Sequence, residues 1–220
     1  MINRIFIVVL ISAFTSIVAQ NNEAVDKKAK AILDELSAKT KTYTTIKADF
    51  NLTIEGKDKK VKESQSGFMQ LKGVKYKLDL KGQEIISDGK TIWTYLKDAK
   101  EVQINTIDEK SPDAFTPSAM FTIFETGFKS KFEKEEVKNG KTTQIINLYP
   151  LNPDKKKFHT AKLYIDKVKK QILIAKMLMK DGSTYIYTIK NFKTNEEIAD
   201  AVFTFDKKAY PGVEVVDLRE

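Results

Sequence analysis

Between residues 46 and 54 the chain alternates without a break: Ile46, Ala48, Phe50, Leu52 and Ile54 interleave with Lys47, Asp49, Asn51 and Thr53. Successive side chains of an extended chain point to opposite faces, so this stretch predicts a strand with one buried and one wet face. Runs of the same style predict further strands over 61–71, 74–80, 83–87, 91–96 and 101–107, and then over 131–137, 142–149, 160–165, 171–179 and 183–192. Gly73, Gly82, Asp88-Gly89, Asn139-Gly140 and Asp181-Gly182 fall between them. Such residues tolerate the positive φ of a tight hairpin loop, so the strands are expected to follow one another as an antiparallel meander. Ser87-Asp88-Gly89-Lys90 has the residue types of a catalytic loop but stands at such a corner, and it reads as a hairpin turn.

Two segments leave this period. Over 22–40 the apolar residues Val25, Ala29, Ile32, Leu33 and Leu36 recur at steps of three and four, with Lys27, Lys28 and Glu35 opposite, which predicts an amphipathic helix. Over 111–128 the chain reads SPDAFTPSAMFTIFETGF. Pro117 fits the first turn of a helix capped by Thr116, and Gly127 fits its end, so a short, strongly apolar helix is expected between strands. The pattern as a whole predicts a mainly β protein with helices (α+β): about eleven strands in one curved antiparallel sheet. Two helices cover little of such a sheet, which leaves an apolar concavity.

Arg4 precedes an apolar run over 5–14 that closes on Ser16-Ile17-Val18-Ala19. This fits a secretory signal peptide over 1–19 and is too short to span a bilayer. Residues 20–220 are then expected to form a single domain, exported and soluble. The chain has no cysteine. Disulfides cannot support the fold, and the exported protein has no thiol to carry a lipid anchor of its own.

The formal net charge is +8, and only Arg4 and Arg219 among the 38 basic residues are arginines. Specific phosphate recognition favours the arginine fork, so nucleic acid is not an expected partner. Lysines such as Lys75, Lys77 and Lys81 sit at the polar positions of the strands and read as a solvated outer face. An attraction to anionic membrane surfaces is compatible with this charge.

Candidate chemistry is sparse. Nucleophilic catalysis needs a base beside the nucleophile, and the chain has one histidine, His159, at the edge of a lysine-rich loop. No clustered ligand spacing suggests a metal, and no glycine-rich loop suggests a phosphate. Glu135-Glu136 and Glu196-Glu197 are adjacent acids, which a strand points to opposite faces. Neither an enzyme nor a cofactor is expected. What the chain has in excess is apolar surface: Tyr76, Leu78 and Leu80 on one strand, Trp93 and Tyr95 on another, and the segment from Met120 to Phe124.

At this point the chain resembles the periplasmic outer-membrane lipoprotein carriers, the LolA family, and the wider lipoprotein-sorting group. The resemblance runs from the helix into YTTIKADFNLTI (43–54), through GFMQLKGVKYKLDL (67–80), IISDGKTIWTYLKDAKEV (85–102) and TPSAMF (116–121), to AVFTFDKKAYPGVEVVDLRE (201–220). It implies an unclosed β-barrel covered by an N-terminal helix and a short lid helix, with an apolar cavity for the acyl chains of lipoproteins. Such a carrier takes lipoproteins from the inner membrane to the outer membrane. Burying one acyl chain is worth on the order of 10 kcal/mol, so the cargo cannot cross water unshielded.

By the same resemblance Tyr76 and Leu78 correspond to cavity residues, Met120, Phe121 and Phe124 to the lid helix, and Leu52, Ile54, Leu80 and Trp93 to cavity walls. The family often has an Arg-Pro pair before its third strand that tethers the lid. Here that place reads Lys72-Gly73, so Lys72 and the breaking residue Pro117 are the candidates for lid control. The implied partners are acylated lipoproteins, an inner-membrane lipoprotein-releasing ABC transporter and an outer-membrane receptor, with transient membrane contact and a monomeric state. A regulatory lipid-sensing module of the same fold, of the RseB type, is the alternative reading, and a lipid-modifying hydrolase is a third.

Overall fold

The computed structural model describes the chain except for residues 1–15, 60–61, 108–120, 123, 139 and 220; for 16–26 and 138 it describes the backbone alone. Helix α1 (Ser16–Thr40) is followed by β1 (Ile46–Glu55), β2 (Lys62–Lys72), β3 (Lys75–Leu80), β4 (Gln83–Ser87), β5 (Thr91–Leu96) and β6 (Glu101–Thr106). After the connection over 107–127, the crossing segment, come β7 (Phe128–Lys138), β8 (Lys141–Pro150), β9 (Phe158–Asp166), β10 (Gln171–Met179), β11 (Thr184–Thr194) and β12 (Glu214–Asp217). The helix begins upstream of the predicted start because nothing over 16–22 breaks it: the stretch contains neither glycine nor proline.

The strands form one sheet in the order β12-β6-β5-β4-β3-β2-β1-β11-β10-β9-β8-β7. Two meanders, β1–β6 and β7–β11, are joined by the antiparallel pair of β1 with β11. The sheet curves but does not close, since β12 and β7 are its two edges. All eleven expected strands are present. The twelfth, β12, is parallel to β6, with Glu214 opposite Glu101 and Asp217 opposite Ile104. Four residues are too few to show an alternation, and a parallel partner leaves no hairpin signal.

Register decides what each face carries. Directly paired residues share a face, so Ile46, Ala48, Phe50, Leu52 and Ile54 of β1 continue onto Leu71, Met69 and Gly67 of β2 and then onto Tyr76, Leu78 and Leu80 of β3. In the other direction the same face passes through Tyr185, Tyr187 and Ile189 of β11, Ala175 and Met177 of β10, Leu163 and Ala161 of β9, and Ile146 and Leu148 of β8. This concave face is the main core. Helix α1 lies over it on the β7 and β10 side, inserting Ala29, Ile32, Leu33 and Leu36, all buried.

Gly67 shows how tightly the concave face is filled. A Cβ built there would stand 2.6 Å from Phe50 Cζ and 2.7 Å from Leu80 Cδ2. The Phe50 ring thus lies over the bare glycine backbone. Gly67→Ala is expected to displace Phe50 and cost about 1–3 kcal/mol, read as a lower urea midpoint.

The convex face has a separate apolar cluster. Ile86 of β4 and Val102 of β6 are buried there together with Ile198, Phe203 and Val213 of the C-terminal segment. That segment runs through short 3-10 turns at Asp200–Phe203 and Lys207–Ala209 before joining the sheet as β12. It acts as a strap across the outside of the barrel.

Candidate functional site

The concave face is unevenly covered. At the end of the sheet where β1 begins and β2 ends, Ile46, Ala48, Met69, Leu71 and Tyr76 are buried. Toward the opposite end, Leu52, Ile54, Leu78, Leu80, Ile85, Tyr185 and Tyr187 are only half-buried. The difference follows from the placement of α1: the strands it crosses have fully buried Ile146, Leu148 and Leu163, whereas β1 to β4 lie to its side. The result is an apolar patch carried by β11, β1, β3 and β4, with Gln65 and Glu63 of β2 between them, open at one end of the half-barrel.

Its deep part is closed by aromatic rings. Tyr43, just after α1, meets Phe192 edge-on with centroids 5.7 Å apart, and Phe121 meets Phe192 at 5.8 Å. A crevice of about 160 Å³ remains among Tyr43, Ile46, Leu71 and Phe121. A larger groove of about 660 Å³ runs between α1 and residues 124–130, with Leu33, Phe124 and Phe128 as its floor and Lys30, Lys41 and Lys129 along its rim. Glu125 ties the crossing segment to the helix, accepting from the Ser37 hydroxyl and pairing with Lys41 at 3.2 Å.

The phenols of Tyr43, Tyr76 and Tyr187 on this side of the sheet are uncharged. Burial pushes the Tyr76 hydroxyl up, an effect the Ser87 hydroxyl partly offsets. Burial likewise pushes up Tyr43 and Tyr187, the latter helped by neighbouring Tyr185. These groups stay neutral across the physiological range, so the surface offers apolar contact with a few neutral polar atoms. Among the described residues no three His, Asp or Glu side chains converge as metal ligands. His159 lies exposed with Nδ1 2.9 Å from the Thr160 hydroxyl.

The structure separates the residues singled out from sequence. Tyr76, Leu78, Leu80, Leu52 and Ile54 share the concave face. Phe121 and Phe124 are buried against it; Met120 and Pro117, with the first turn of the expected lid helix, lie outside the described residues, and the described part, 121–122 and 124–127, is in turns and bends and not in an α-helix. Trp93 is a correction. It pairs with Ile86, which pairs with Lys77, so it stands on the convex face, away from Leu78 and Ile85. An alternating pattern says which residues share a face but not which face is concave. Tyr185, Tyr187, Ile85 and Met177 belong to the concave set and were visible in their own alternations, yet only the β1–β11 pairing brings β11 beside β1.

Lys72 also differs from expectation. Its Nζ donates to the Ile198 carbonyl at 3.1 Å and pairs with Asp200 at 2.9 Å, while Lys75 reaches the same carboxylate at 3.4 Å. Among the described residues its partners are therefore in the C-terminal strap and not in the crossing segment. The hydrogen bond from Lys72 is the main cause that holds the exposed Asp200 carboxyl below its ordinary range, with Lys75 adding to it. A depressed carboxyl contributes fully above its ordinary pKa and loses that contribution as pH falls through the lowered value. In Lys72→Ala, Asp200 is expected to titrate at higher pH, which a carboxyl-detected NMR titration reads directly.

The corner at Ser87 is built as a turn. The Asp88 carboxylate accepts from the amides of Lys90 and Thr91 at 2.8 Å, and Gly89 has φ +95°. Ser87 does more than flank it: its side chain is fully buried on the concave face beside Tyr76, and its hydroxyl accepts from the Gly89 amide at 3.1 Å.

Residues 41–206 match the family of outer membrane lipoprotein carrier proteins, LolA. The chain belongs to this family. The outer-membrane lipoprotein carrier protein of Pasteurella multocida is 26% identical over 192 residues, covering 84% of this chain and 87% of that protein. The one of Glaesserella parasuis is 26% identical over 186 residues, covering 82% of each. Among solved structures, an uncharacterized conserved protein from Thermus thermophilus has a TM-score of 0.56 at 14% identity, covering 86% of this chain and 99% of that one, which shows a shared fold. The unclosed sheet and its helix are the LolA-like arrangement, and the family is one of carriers. No helix among the described residues is long and apolar enough to cross a membrane.

Proposed function

We propose that this LolA-family protein is a soluble carrier of the envelope space that shields the acyl chains of lipoproteins and moves them from the inner to the outer membrane. The observation that carries this reading is the half-covered apolar face of Leu52, Leu78, Leu80, Ile85, Tyr185 and Tyr187. Such a patch costs free energy in water and gains it against a hydrocarbon chain, at roughly 0.8 kcal/mol per methylene. Burial keeps its Tyr187 phenol neutral, and among the described residues no nucleophile with a partner base stands by it, which supports binding without bond chemistry. The apolar run over 5–14 ending at Ala19 fits an export leader, with residues 20–220 as a single carrier domain.

In this reading Phe121 and Phe124, held to α1 through Glu125, belong to the cover of the cavity, with Met120 as a further lid residue and Pro117 and Lys72 as the candidates for lid control. A membrane transporter that loads the carrier and an outer-membrane receptor that unloads it complete the proposal. The test is to purify the protein from its native envelope and identify what it holds by mass spectrometry. Acylated peptides are expected. Free lipids alone would move the reading to a lipid sensor of the same fold, and an empty interior would overturn both.

A further inference from the structure

The half-covered patch opens at one end of the sheet, the end that carries the β1–β2, β3–β4, β5–β6, β8–β9 and β10–β11 turns. The longest of these turns is the β8–β9 connection, which has an unusual composition for an ordered loop. Over 149–157 it reads YPLNPDKKK. Leu151 is 64% exposed and Tyr149 38%. Lys155 and Lys157 are exposed and Lys156 is half-buried. Lys129, opposite Tyr149 on the neighbouring strand, is exposed as well. Asp154 is the single acid of the loop.

This exposure does not come from a slack chain. The Leu151 amide donates to the Gly127 carbonyl at 2.9 Å, at the end of the crossing segment. Pro153–Lys155 forms a 3-10 turn. On its far side the loop is clamped by Lys180, whose Nζ donates to the Pro153 carbonyl at 2.8 Å and whose amide donates to the Lys157 carbonyl at 2.9 Å. The flanking residues Phe128 and Phe158 stack inside the barrel at 6.0 Å. A loop fixed at both ends therefore holds one large apolar side chain outward, with Tyr149 and three lysines in the same stretch and Lys129 on the adjoining strand, at the end of the sheet where the patch opens.

We infer that this loop is the surface by which the carrier docks on an anionic bilayer, with Leu151 and Tyr149 entering the headgroup region and Lys129, Lys155, Lys156 and Lys157 facing lipid phosphates. An apolar tip ringed by ammonium groups matches an anionic interface on both counts: the tip gains by leaving water, and lysines beside the surface attract its negative potential. Lysine serves here as arginine would, because attraction to the surface potential needs charge and not a fixed fork. The position adds a consequence. Docking here turns the half-covered patch toward the membrane from which cargo comes. The inference rests on the carrier reading for its purpose, but not for its test.

The test is co-sedimentation of the leaderless full domain with vesicles of phosphatidylcholine, with and without phosphatidylglycerol, at low and at high salt. Binding is expected on the anionic vesicles alone and is expected to weaken with salt. A Lys155→Glu, Lys156→Glu, Lys157→Glu variant should lose about tenfold or more in partitioning, and Leu151→Asp several-fold, whereas Lys90→Glu at the other end of the barrel should lose little. Binding that is absent, indifferent to lipid charge, or reduced equally by Lys90→Glu would overturn the inference. The two readings fail separately: a soluble fluorescent acyl probe reports the cavity without any membrane, and Leu151→Asp should leave that binding unchanged.

Discussion

Leu78→Asp is expected to fold normally and to bind an acyl probe at least about a hundredfold more weakly, because the new carboxylate must either lose its water or keep the chain out. Leu78 is the right position for this because of where register and burial place it. It pairs with Met69 on one side and Ile85 on the other, in the middle of the half-covered patch, and it is half-buried. The free protein can therefore hydrate an aspartate there, so the expected change in urea midpoint is small. Phe121 is a poorer test of the same idea: at 4% exposed it belongs to the core, and an aspartate there would damage the fold together with the site. The measurement is a fluorescence titration with a soluble acyl probe, paired with urea unfolding. Wild-type affinity in the folded Leu78→Asp variant would remove β3 from the cavity.

Phe203→Ala is expected to be the most damaging single truncation on the convex side, at about 3–5 kcal/mol. Phe203 has no exposed surface and lies in the 3-10 turn that packs on β3 and β4. Around it the strap is held by Lys72 and Lys75 to Asp200 and by Tyr210, which donates to the Glu84 carboxylate, stacks on Phe205 and meets Tyr95 edge-on at 4.8 Å. Burial, followed by that hydrogen bond to Glu84, pushes the Tyr210 hydroxyl far up, so the donor keeps its proton. Removing the Phe203 ring takes the apolar anchor from this assembly. The readout is built in. Trp93, the only tryptophan, is on the same convex face beside buried Ile86, so its emission should shift to the red in Phe203→Ala. It should stay fixed when an acyl probe fills the concave side. A strong ligand response from Trp93 would contradict the register.

The strands could be read in sequence because each is long enough to repeat its alternation: the ten residues of β1 state their periodicity several times over, and Asp88-Gly89 and Asp181-Gly182 mark corners by chemistry that acts within four residues. The concave candidates on β1 to β3 could be read for the same reason. Three features were not legible. Alternation leaves the choice of face open, and only the register puts Trp93 on the convex side. The partners of Lys72, Ile198 and Asp200, lie 126 and 128 positions away. The parallel strand β12 gave no local signal.

The sequence by itself determined the class of fold, the corners, and the presence of apolar surface in excess. These follow from side-chain period and backbone preference, which are local. Only the tertiary structure decided which face is concave, that β11 closes onto β1, and that the C-terminal strap takes Lys72 and shelters the face of Trp93. It also decided that α1 covers one side of the barrel and leaves the other half-open. Those outcomes depend on pairings between residues far apart in the chain, where the free energy of burial is shared among many contacts and no short stretch records the choice.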